Sequence, residues 1–288
     1  IALVFNSFNI SLIYYFVFFE IISALFVIHL NYKDKNTSYK ISWIVLILLI
    51  PVVGVLIYIF SRIGIKRNFN KINKIESDKN VFPKEDQDML SSFKKKNKIR
   101  YNETRLIKNI SDYGCYTNTK VDYFSSGEDM YKKLLEELKN AKKFIFLEYF
   151  IISKSKMWDE IFEILKEKSK SGVEVRVLVD YVGSLLVLPK DFKKSLKTNN
   201  IKLKIFNPFN IILNFMLNYR DHRKITVIDG KVAFTGGINI GDEYINEYKK
   251  YGYWKDMAVC LKGEAVYSFT IMFLRMWQSI SKKKEDFS

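Results

Sequence analysis

The chain has 288 residues, a length that allows two structural units, and 48% of its residues are hydrophobic. Its 47 Lys and Arg residues outnumber 31 Asp and Glu residues, so the formal net charge is +16 at pH 7. The basic excess favours an anionic partner, either a nucleic acid or an anionic membrane surface, although a general enrichment in lysine explains the same charge. The two cysteines, Cys115 and Cys260, have neither metal-binding nor redox spacing, which argues against cysteine chemistry.

The N-terminal part contains two long apolar runs, at 7–30 and 41–60. About 20 mostly apolar residues suffice to cross a bilayer core, so each run predicts a transmembrane helix. Glu20 interrupts the first run and requires protonation or a partner at that depth. Pro51 and Gly54 in the second run are tolerated in membrane helices. The short polar link between the runs predicts a hairpin with both chain ends on one side, and no signal-peptide cleavage site competes with this interpretation.

The distribution of Lys and Arg predicts the orientation of this hairpin. More basic residues follow the second run than occupy the link, which predicts a multi-pass protein of the cell membrane whose main domain faces the cytoplasm. We expect a transmembrane hairpin at 1–61, a basic linker at 62–112 and a catalytic half-domain at 113–288. The lysine-rich run at 93–98 either lies on anionic headgroups or belongs to a solvated linker.

The C-terminal part alternates between strand-like and helix-like patterns, which predicts an α/β fold with a mixed sheet covered by helices. Short apolar or alternating runs predict strands, and apolar residues at helical spacing predict helices. The predicted strands are 120–124, 144–152, 173–180, 202–206, 223–228 and 232–235, and the predicted helices are 128–143, 157–170 and 263–280.

One motif dominates this region: His-x-Lys, four residues, Asp, six residues, then Gly-Gly-x-Asn, between His222 and Asn239. Residues two apart on a strand point to the same side, so His222 and Lys224 project together. A phosphodiester needs a nucleophile and positive donors for its oxygens, and histidine and lysine supply both. Gly236 and Gly237 permit close backbone approach, and Asn239 supplies an amide donor. An exposed basic strand with an incidental histidine is the alternative, which the full spacing disfavours.

This motif resembles the half-site of the phospholipase D superfamily, and the chain around it resembles the N-terminal part of bacterial cardiolipin synthases. The resemblance rests on the motif, the two apolar runs, Leu147-Glu148-Tyr149-Phe150 and the segment Gly252–Asp256. It implies two half-sites that face each other and a phosphohistidine intermediate, with no metal or cofactor. It assigns a catalytic set of His222, Lys224 and Asp229, in which Asp229 has a supporting part and His222 is the nucleophile. Phosphate binding falls to Lys224 and Asn239.

The resemblance also implies supporting positions and partners. Gly236 and Gly237 support the phosphate site, and Asp256 is expected to accept a hydrogen bond from the nucleophilic histidine. The implied reaction is phosphatidyl transfer between two phosphatidylglycerol molecules with release of glycerol. Partners would be phosphatidylglycerol and other anionic membrane lipids, with no nucleic acid. A membrane-bound phospholipase D-type hydrolase and an inactive anionic-lipid-binding membrane protein remain alternatives.

The chain departs from the resemblance because it contains no second half-site. Its only other histidine, His29, lies in the first apolar run. We expect either a fragment that precedes the second half-site or two copies that complete each other. On this interpretation the isolated monomer is inactive, since the general acid is missing.

Overall fold

The computed structural model describes residues 2–32, 37–60, 87–208, 220–250 and 252–281. The chain divides into two compact units. The first contains the helices within 2–60, and the second contains the part described from 87 onward.

The first unit is helical and is interrupted at Pro51. Proline cannot continue a helix, and the chain bends at Ile50 before it. A side chain at Gly54 would place its Cβ 2.8 Å from the Cα of Ile47, so the helix after the bend folds back closely on the one before it. The buried side chains are Leu30, Ile47, Val55 and Tyr58. The helices are α1 (Ala2–Tyr32), α2 (Thr37–Leu49) and α3 (51–60).

Among the described helices, none combines the length and the apolar character needed to cross a bilayer. The two transmembrane helices predicted at 7–30 and 41–60 are therefore not shown by the structure. The second predicted span is divided at Pro51 into two shorter helices.

The described part of the second unit starts with two helices, which lie within the range 62–112 that the sequence predicts as a basic linker. Residues 87–111 form a helical pair, and 61–86 lie outside the described residues, so the linker over 62–112 stays a prediction. The elements of this unit in chain order are α4 (Gln87–Lys96), α5 (Lys98–Ser111), β1 (Thr119–Phe124), α6 (Gly127–Lys139), β2 (Phe144–Tyr149), α7 (Lys156–Lys170), β3 (Glu174–Asp180), α8 (Tyr181–Ser184), α9 (Phe192–Thr198), β4 (Lys202–Phe206), β5 (Ile225–Ile228), β6 (Val232–Gly236), a 3-10 turn (Asp242–Ile245), β7 (Ala258–Gly263) and α10 (Val266–Ile280).

The strands form one seven-stranded sheet in the order β1-β7-β6-β5-β2-β3-β4. Strands β2, β3 and β4 run parallel, and β5 pairs antiparallel with β2. Strands β5, β6, β7 and β1 continue as antiparallel neighbours. The predicted α/β fold with a mixed sheet is confirmed.

Helices cover both faces of this sheet because central strands such as β2 are apolar on both sides. On one face α6, α7 and α9 bury residues including Leu134, Ile161 and Leu196. On the other face α10 buries Phe273 and Trp277 against strand residues. The two cores hold the central strands in place, so the chain segments at the ends of β2, β3 and β5 have a rigid base.

Candidate active site

His222 and Lys224 both lie against the ring of Phe150, just before β5 begins. The His222 ring is 4.8 Å from the Phe150 ring, centroid to centroid. The Lys224 Nζ lies 5.3 Å from the centre of the same ring and donates to the His222 carbonyl oxygen at 2.6 Å. His222 is exposed, whereas Lys224 is buried. The structure thus gives an accessible imidazole with an ammonium group beside it.

Two neighbouring residues, Asp221 and Arg223, anchor the extended segment before β5 and so hold the side chains of His222 and Lys224 in place. The backbone N–H of Asp221 donates to Asp180 Oδ2 at 3.0 Å. Arg223, between His222 and Lys224 in the chain, contacts an acid instead, and its Nη2 lies 2.7 Å from Glu148 Oε1. The predicted alternation of side chains is present, although β5 itself begins only at Ile225.

Beneath this segment lies a buried cluster of Glu148, Asp221 and Arg223. The Arg223 Nε donates to Asp221 Oδ1 at 3.1 Å. Both oxygens of Glu148 and Oδ2 of Asp221 are buried and lack an aligned hydrogen-bond donor among the described residues. Burial raises the pKa of Glu148 well above its usual range and the charge of Asp221 adds to this, while Arg223 opposes it. Two acids against one guanidinium favour one retained proton, which makes the cluster neutral.

Burial also affects Lys224. Loss of solvent lowers the pKa of its ammonium group, and the negative charges of Asp221 and Asp256 oppose that change. A poorly solvated cation beside an exposed histidine is suited to an incoming phosphate, which replaces the missing solvent.

Asn239 lies beside the same short segment of chain. Its Oδ1 accepts a hydrogen bond from the backbone N–H of Ile151, the residue after Phe150, at 3.1 Å. That bond fixes the orientation of the buried amide, and within the described residues the amide nitrogen makes no hydrogen bond. The amide N–H₂ can therefore serve as a donor to a ligand.

Gly236 and Gly237 permit close packing against the start of β7. A Cβ at Gly236 would lie 2.4 Å from the Met257 carbonyl oxygen, and one at Gly237 would lie 2.1 Å from Asp256 Oδ1. Asp256 accepts hydrogen bonds from the Met257 N–H at 2.8 Å and from Trp254 Nε1–H at 3.3 Å. The expected hydrogen bond between His222 and Asp256 does not occur between these two described residues.

Asp229 lies at the other end of β5 from His222. Its carboxylate accepts hydrogen bonds from three consecutive backbone N–H groups, those of Lys142, Lys143 and Phe144, at 2.7 to 2.9 Å. Both Asp229 and Gly230 have positive φ, as the predicted hairpin turn requires. The carboxylate is occupied in holding the loop before β2, at the opposite end of β5 from His222, and the supporting part expected of Asp229 stays a prediction.

An exposed apolar segment, made of α8 and the residues that follow it, comes after β3 and lies beside Phe150. The Ser184 hydroxyl donates to the Phe150 carbonyl oxygen at 3.0 Å. A Cβ at Gly183 would lie 2.3 Å from that oxygen, so this segment packs directly on Phe150, whose ring contacts His222. The exposed side chains are Val182, Leu185, Leu186 and Val187, with Leu186 93% exposed. We refer to these four residues as the apolar rim.

The structure therefore brings His222, Lys224 and Asn239 to Phe150–Ile151 and leaves Asp229 apart. The sequence does not predict that Phe150 contacts His222 and Lys224, nor that Glu148, Asp221 and Arg223 form a cluster. The only signal of that cluster was Glu148, a single acid within the otherwise apolar run of 144–152. Among the described residues no group of three or more histidine, cysteine or acidic side chains could hold a metal ion.

Comparison with known proteins gives two matching family models. The model described as "Cardiolipin synthase, PLD-like domain" matches residues 134–277, and the one described as "Phospholipase_D-nuclease N-terminal" matches residues 21–62.

Similar curated proteins and solved structures add three further findings. An uncharacterized protein of Streptococcus mutans is 42% identical over 261 residues, which are 90% of this chain and 57% of the relative. A protein named cardiolipin synthase from Oceanobacillus iheyensis is 32% identical over 268 residues, 90% of this chain and 55% of the relative. The chain thus spans little more than half the length of these relatives. The solved structure of Nuc from Salmonella typhimurium, titled a phospholipase D family member, shows 17% identity and a TM-score of 0.43, covering 58% of this chain and 98% of that one.

Proposed function

Because the chain belongs to the cardiolipin synthase family with a phospholipase D-like domain, we propose that it transfers the phosphatidyl group of one phosphatidylglycerol to a hydroxyl of a second, releasing glycerol. The observation that carries this proposal is the pairing of exposed His222 with buried Lys224 on Phe150. The amide of Asn239, oriented by Ile151, completes a cradle for the phosphate oxygens. Each of these groups has a distinct part in the proposed reaction.

In the first step an imidazole nitrogen of His222 attacks phosphorus. A nitrogen–phosphorus bond forms, the phosphorus–oxygen bond to glycerol breaks, and the departing oxygen takes a proton from a general acid. In the second step the hydroxyl of the acceptor lipid attacks, the nitrogen–phosphorus bond breaks, and the hydroxyl proton goes to the same group acting as base. Lys224 and Asn239 stabilise the negative charge on the non-bridging oxygens in both steps.

The apolar rim favours a lipid over a nucleic acid as the substrate. A polynucleotide is bound chiefly through cations that contact its phosphates. Beside Phe150 the segment after β3 instead offers the four exposed aliphatic side chains of the apolar rim. Aliphatic side chains next to a phosphate cradle suit acyl chains that accompany the phosphodiester.

We propose that the protein acts at the cell membrane. Support comes from the match to the N-terminal family model and from the apolar side chains that α1 exposes, among them Tyr14, Phe18, Ile21, Leu25 and Ile28. The excess of Lys and Arg after the second apolar run supports a catalytic unit on the cytoplasmic side, which protease protection in sealed vesicles would check.

The general acid is proposed to come from a second half-site. The sequence has only two histidines, and His29 belongs to the other structural unit. A second copy of the chain or additional chain would supply the missing histidine, as the two facing half-sites of the superfamily imply.

An experiment can separate the nucleophile from the missing acid. A phosphatidyl donor whose leaving group is p-nitrophenolate needs no protonation on departure, so the chain in lipid vesicles should release nitrophenolate in a stoichiometric burst. The phosphatidyl label should remain on the protein in an acid-labile, alkali-stable form. His222→Ala should abolish both, whereas the matched control His29→Ala should retain both. No burst, or an equal burst from His222→Ala, would refute the proposed nucleophile.

The acceptor is then tested by adding unlabelled phosphatidylglycerol to the labelled protein. Transfer predicts labelled cardiolipin. Labelled phosphatidic acid without cardiolipin would mean that water is the acceptor, and would replace the transferase by a hydrolase.

A further inference from the structure

Helix α5 turns its polar side toward the protein and its apolar side outward. The apolar positions Ile99, Leu106 and Ile110 fall on one line of the helix, with Ile107 beside them. Surface helices of a soluble protein normally bury such a stripe. Here the partly covered side chains are Tyr101, Thr104, Arg105, Lys108 and Ser111, and the apolar ones are exposed: Ile99 at 73%, Leu106 at 60%, Ile107 at 59% and Ile110 at 77%.

The helix has no fully buried residue, so packing within its own unit does not explain its apolar stripe. Single exposed aliphatic residues are ordinary, but Leu106, Ile107 and Ile110 form a patch on one face of a 14-residue helix, and Ile99 continues that face beyond Glu103. Such a patch indicates a surface that is covered in the working protein.

Basic residues surround this stripe. Residues 87–111 contain seven Lys and Arg residues against two acids, Asp88 and Glu103. Glu103 lies within the arc of the stripe, and its Oε2 is paired with Arg100 Nη1 at 3.1 Å, where both side chains are exposed. The last turn of α4 consists of three consecutive exposed lysines at 94–96.

We propose that α5 lies in the headgroup region of an anionic membrane, with Ile99, Leu106 and Ile110 directed into the acyl boundary and the lysines of 94–98 on the lipid phosphates. A helix with an apolar stripe flanked by Lys and Arg has the form of an interfacial membrane helix. The proposal concerns how the catalytic unit contacts the membrane and does not rest on phosphatidyl transfer.

Charge distinguishes a bilayer from a protein as the occupant of this face. The cores of protein interfaces are depleted in lysine, whereas anionic headgroups attract each Lys or Arg near the surface. The α5 stripe is narrow, and exposed cations at Lys98 and Arg100 flank it. This arrangement complements a bilayer surface, in which apolar acyl chains lie beneath negatively charged headgroups.

The test measures how deeply individual α5 positions enter the bilayer. The full chain, with Cys115→Ser and buried Cys260 unchanged, is reconstituted in nanodiscs containing phosphatidylglycerol and phosphatidylcholine. A nitroxide is attached through Ile110→Cys, with Leu106→Cys as the second stripe position. Asn109→Cys is the matched control, because it is exposed and lies outside the stripe, about 100° around the helix from Ile110 and about 60° from Leu106. Relaxation by oxygen reports lipid exposure, and relaxation by a water-soluble nickel chelate reports water.

At positions 106 and 110 we expect oxygen to relax the nitroxide several-fold more than the nickel chelate does, and at 109 the reverse. The preference at 110 should decrease in nanodiscs of phosphatidylcholine alone. Strong nickel relaxation at all three positions would mean a solvated helix and would overturn the proposal. Weak relaxation by both reagents at 106 and 110 would mean that protein covers the stripe, which overturns it equally. Equal depth with and without phosphatidylglycerol would overturn the role of anionic lipid.

Discussion

Lys224 illustrates how burial prepares a single charge for its ligand. Its ammonium group is removed from solvent, which lowers its pKa, and it is held by the His222 carbonyl oxygen rather than by a carboxylate. A direct ion pair with an acid would compete with the phosphate for that charge. Asp221 and Asp256 act on Lys224 through their fields, which oppose the lowering of its pKa, while its Nζ remains available to a phosphate oxygen.

Replacing Lys224 by Met should therefore reduce the rate of the nitrophenolate burst. Removal of one preorganised donor to a transition-state oxyanion typically costs about 10²–10³-fold in rate, or about 3–4 kcal/mol. The control is Lys231→Met, an exposed lysine at the hairpin turn beyond Asp229. Stopped-flow absorbance measures both variants, and similar rates for the two would remove Lys224 from the phosphate site.

The cluster of Glu148, Asp221 and Arg223 makes stability depend on pH. Since the pKa of Glu148 is raised, the folded protein binds this proton more tightly than the unfolded chain does. The associated stabilisation is fully present below the ordinary value of 4.5 and is lost as pH rises toward the folded value.

We expect the free energy of unfolding of the wild type, relative to that of Glu148→Gln, to fall as pH rises above about 5. The slope should approach, at most, about 1.4 kcal/mol per pH unit, the value for one proton. Thermal unfolding in detergent at several pH values measures it. Glu167→Gln, at an exposed position of α7, should show no such trend. A difference that rises with pH for Glu148→Gln would mean that the buried acid is ionised in the fold.

At the scale of elements, the end of β6 and the residue after it pack so closely on the start of β7 that neither Gly236 nor Gly237 has room for a side chain. The three heavy atoms nearest to a Cβ added at Gly237 all belong to the Asp256 carboxyl group. Gly237→Ala should therefore destabilise the protein by about 1–3 kcal/mol, as overpacking does. If the clash is the cause, adding Asp256→Ala should recover part of the loss, giving a coupling of about 1–2 kcal/mol in a double-mutant cycle of unfolding. Strictly additive losses would refute this account.

We expect Asp229 to stabilise the loop before β2 but not to take part in the attack on phosphorus. Asp229→Asn tolerates the left-handed backbone of this turn but loses the charge that three N–H groups share. Hydrogen bonds to a charged group contribute about 1.5–3 kcal/mol, so we expect a loss of about 1–3 kcal/mol in unfolding free energy. The nitrophenolate burst at a temperature where the variant is folded should be unchanged. A burst lowered about 100-fold without loss of stability would instead return Asp229 to the catalytic set.

The sequence patterns predict individual strands and helices better than they predict the contacts between them. Periodicity locates β4 at its observed bounds and β3 within one residue, since both follow strong local signals. It does not predict β7, a strand of mixed burial that is held mainly by its neighbours β6 and β1. The motif predicts His222, Lys224 and Asn239 as site residues. It cannot reveal Phe150 beneath them, because that contact depends on how β2 and the segment before β5 lie side by side.

For the whole molecule, the decisive feature is that the catalytic unit contains a single histidine. One imidazole can attack phosphorus, but it cannot at the same moment protonate the departing glycerol, since its nitrogen is then bonded to phosphorus. The proposed reaction on phosphatidylglycerol, unlike the one on the nitrophenyl donor, therefore needs a group from outside this unit.

We accordingly expect nanodiscs that hold a single copy of the 288-residue chain to give the nitrophenolate burst but no glycerol from phosphatidylglycerol. If two copies complete each other, nanodiscs with two copies should release glycerol, and mixing in His222→Ala copies should lower the rate more steeply than their share of the total. If additional chain supplies the acid, both preparations should stay inactive on phosphatidylglycerol. Glycerol release from single-copy nanodiscs would mean that another group of this chain protonates the leaving alcohol, and the requirement for a second half-site would be wrong.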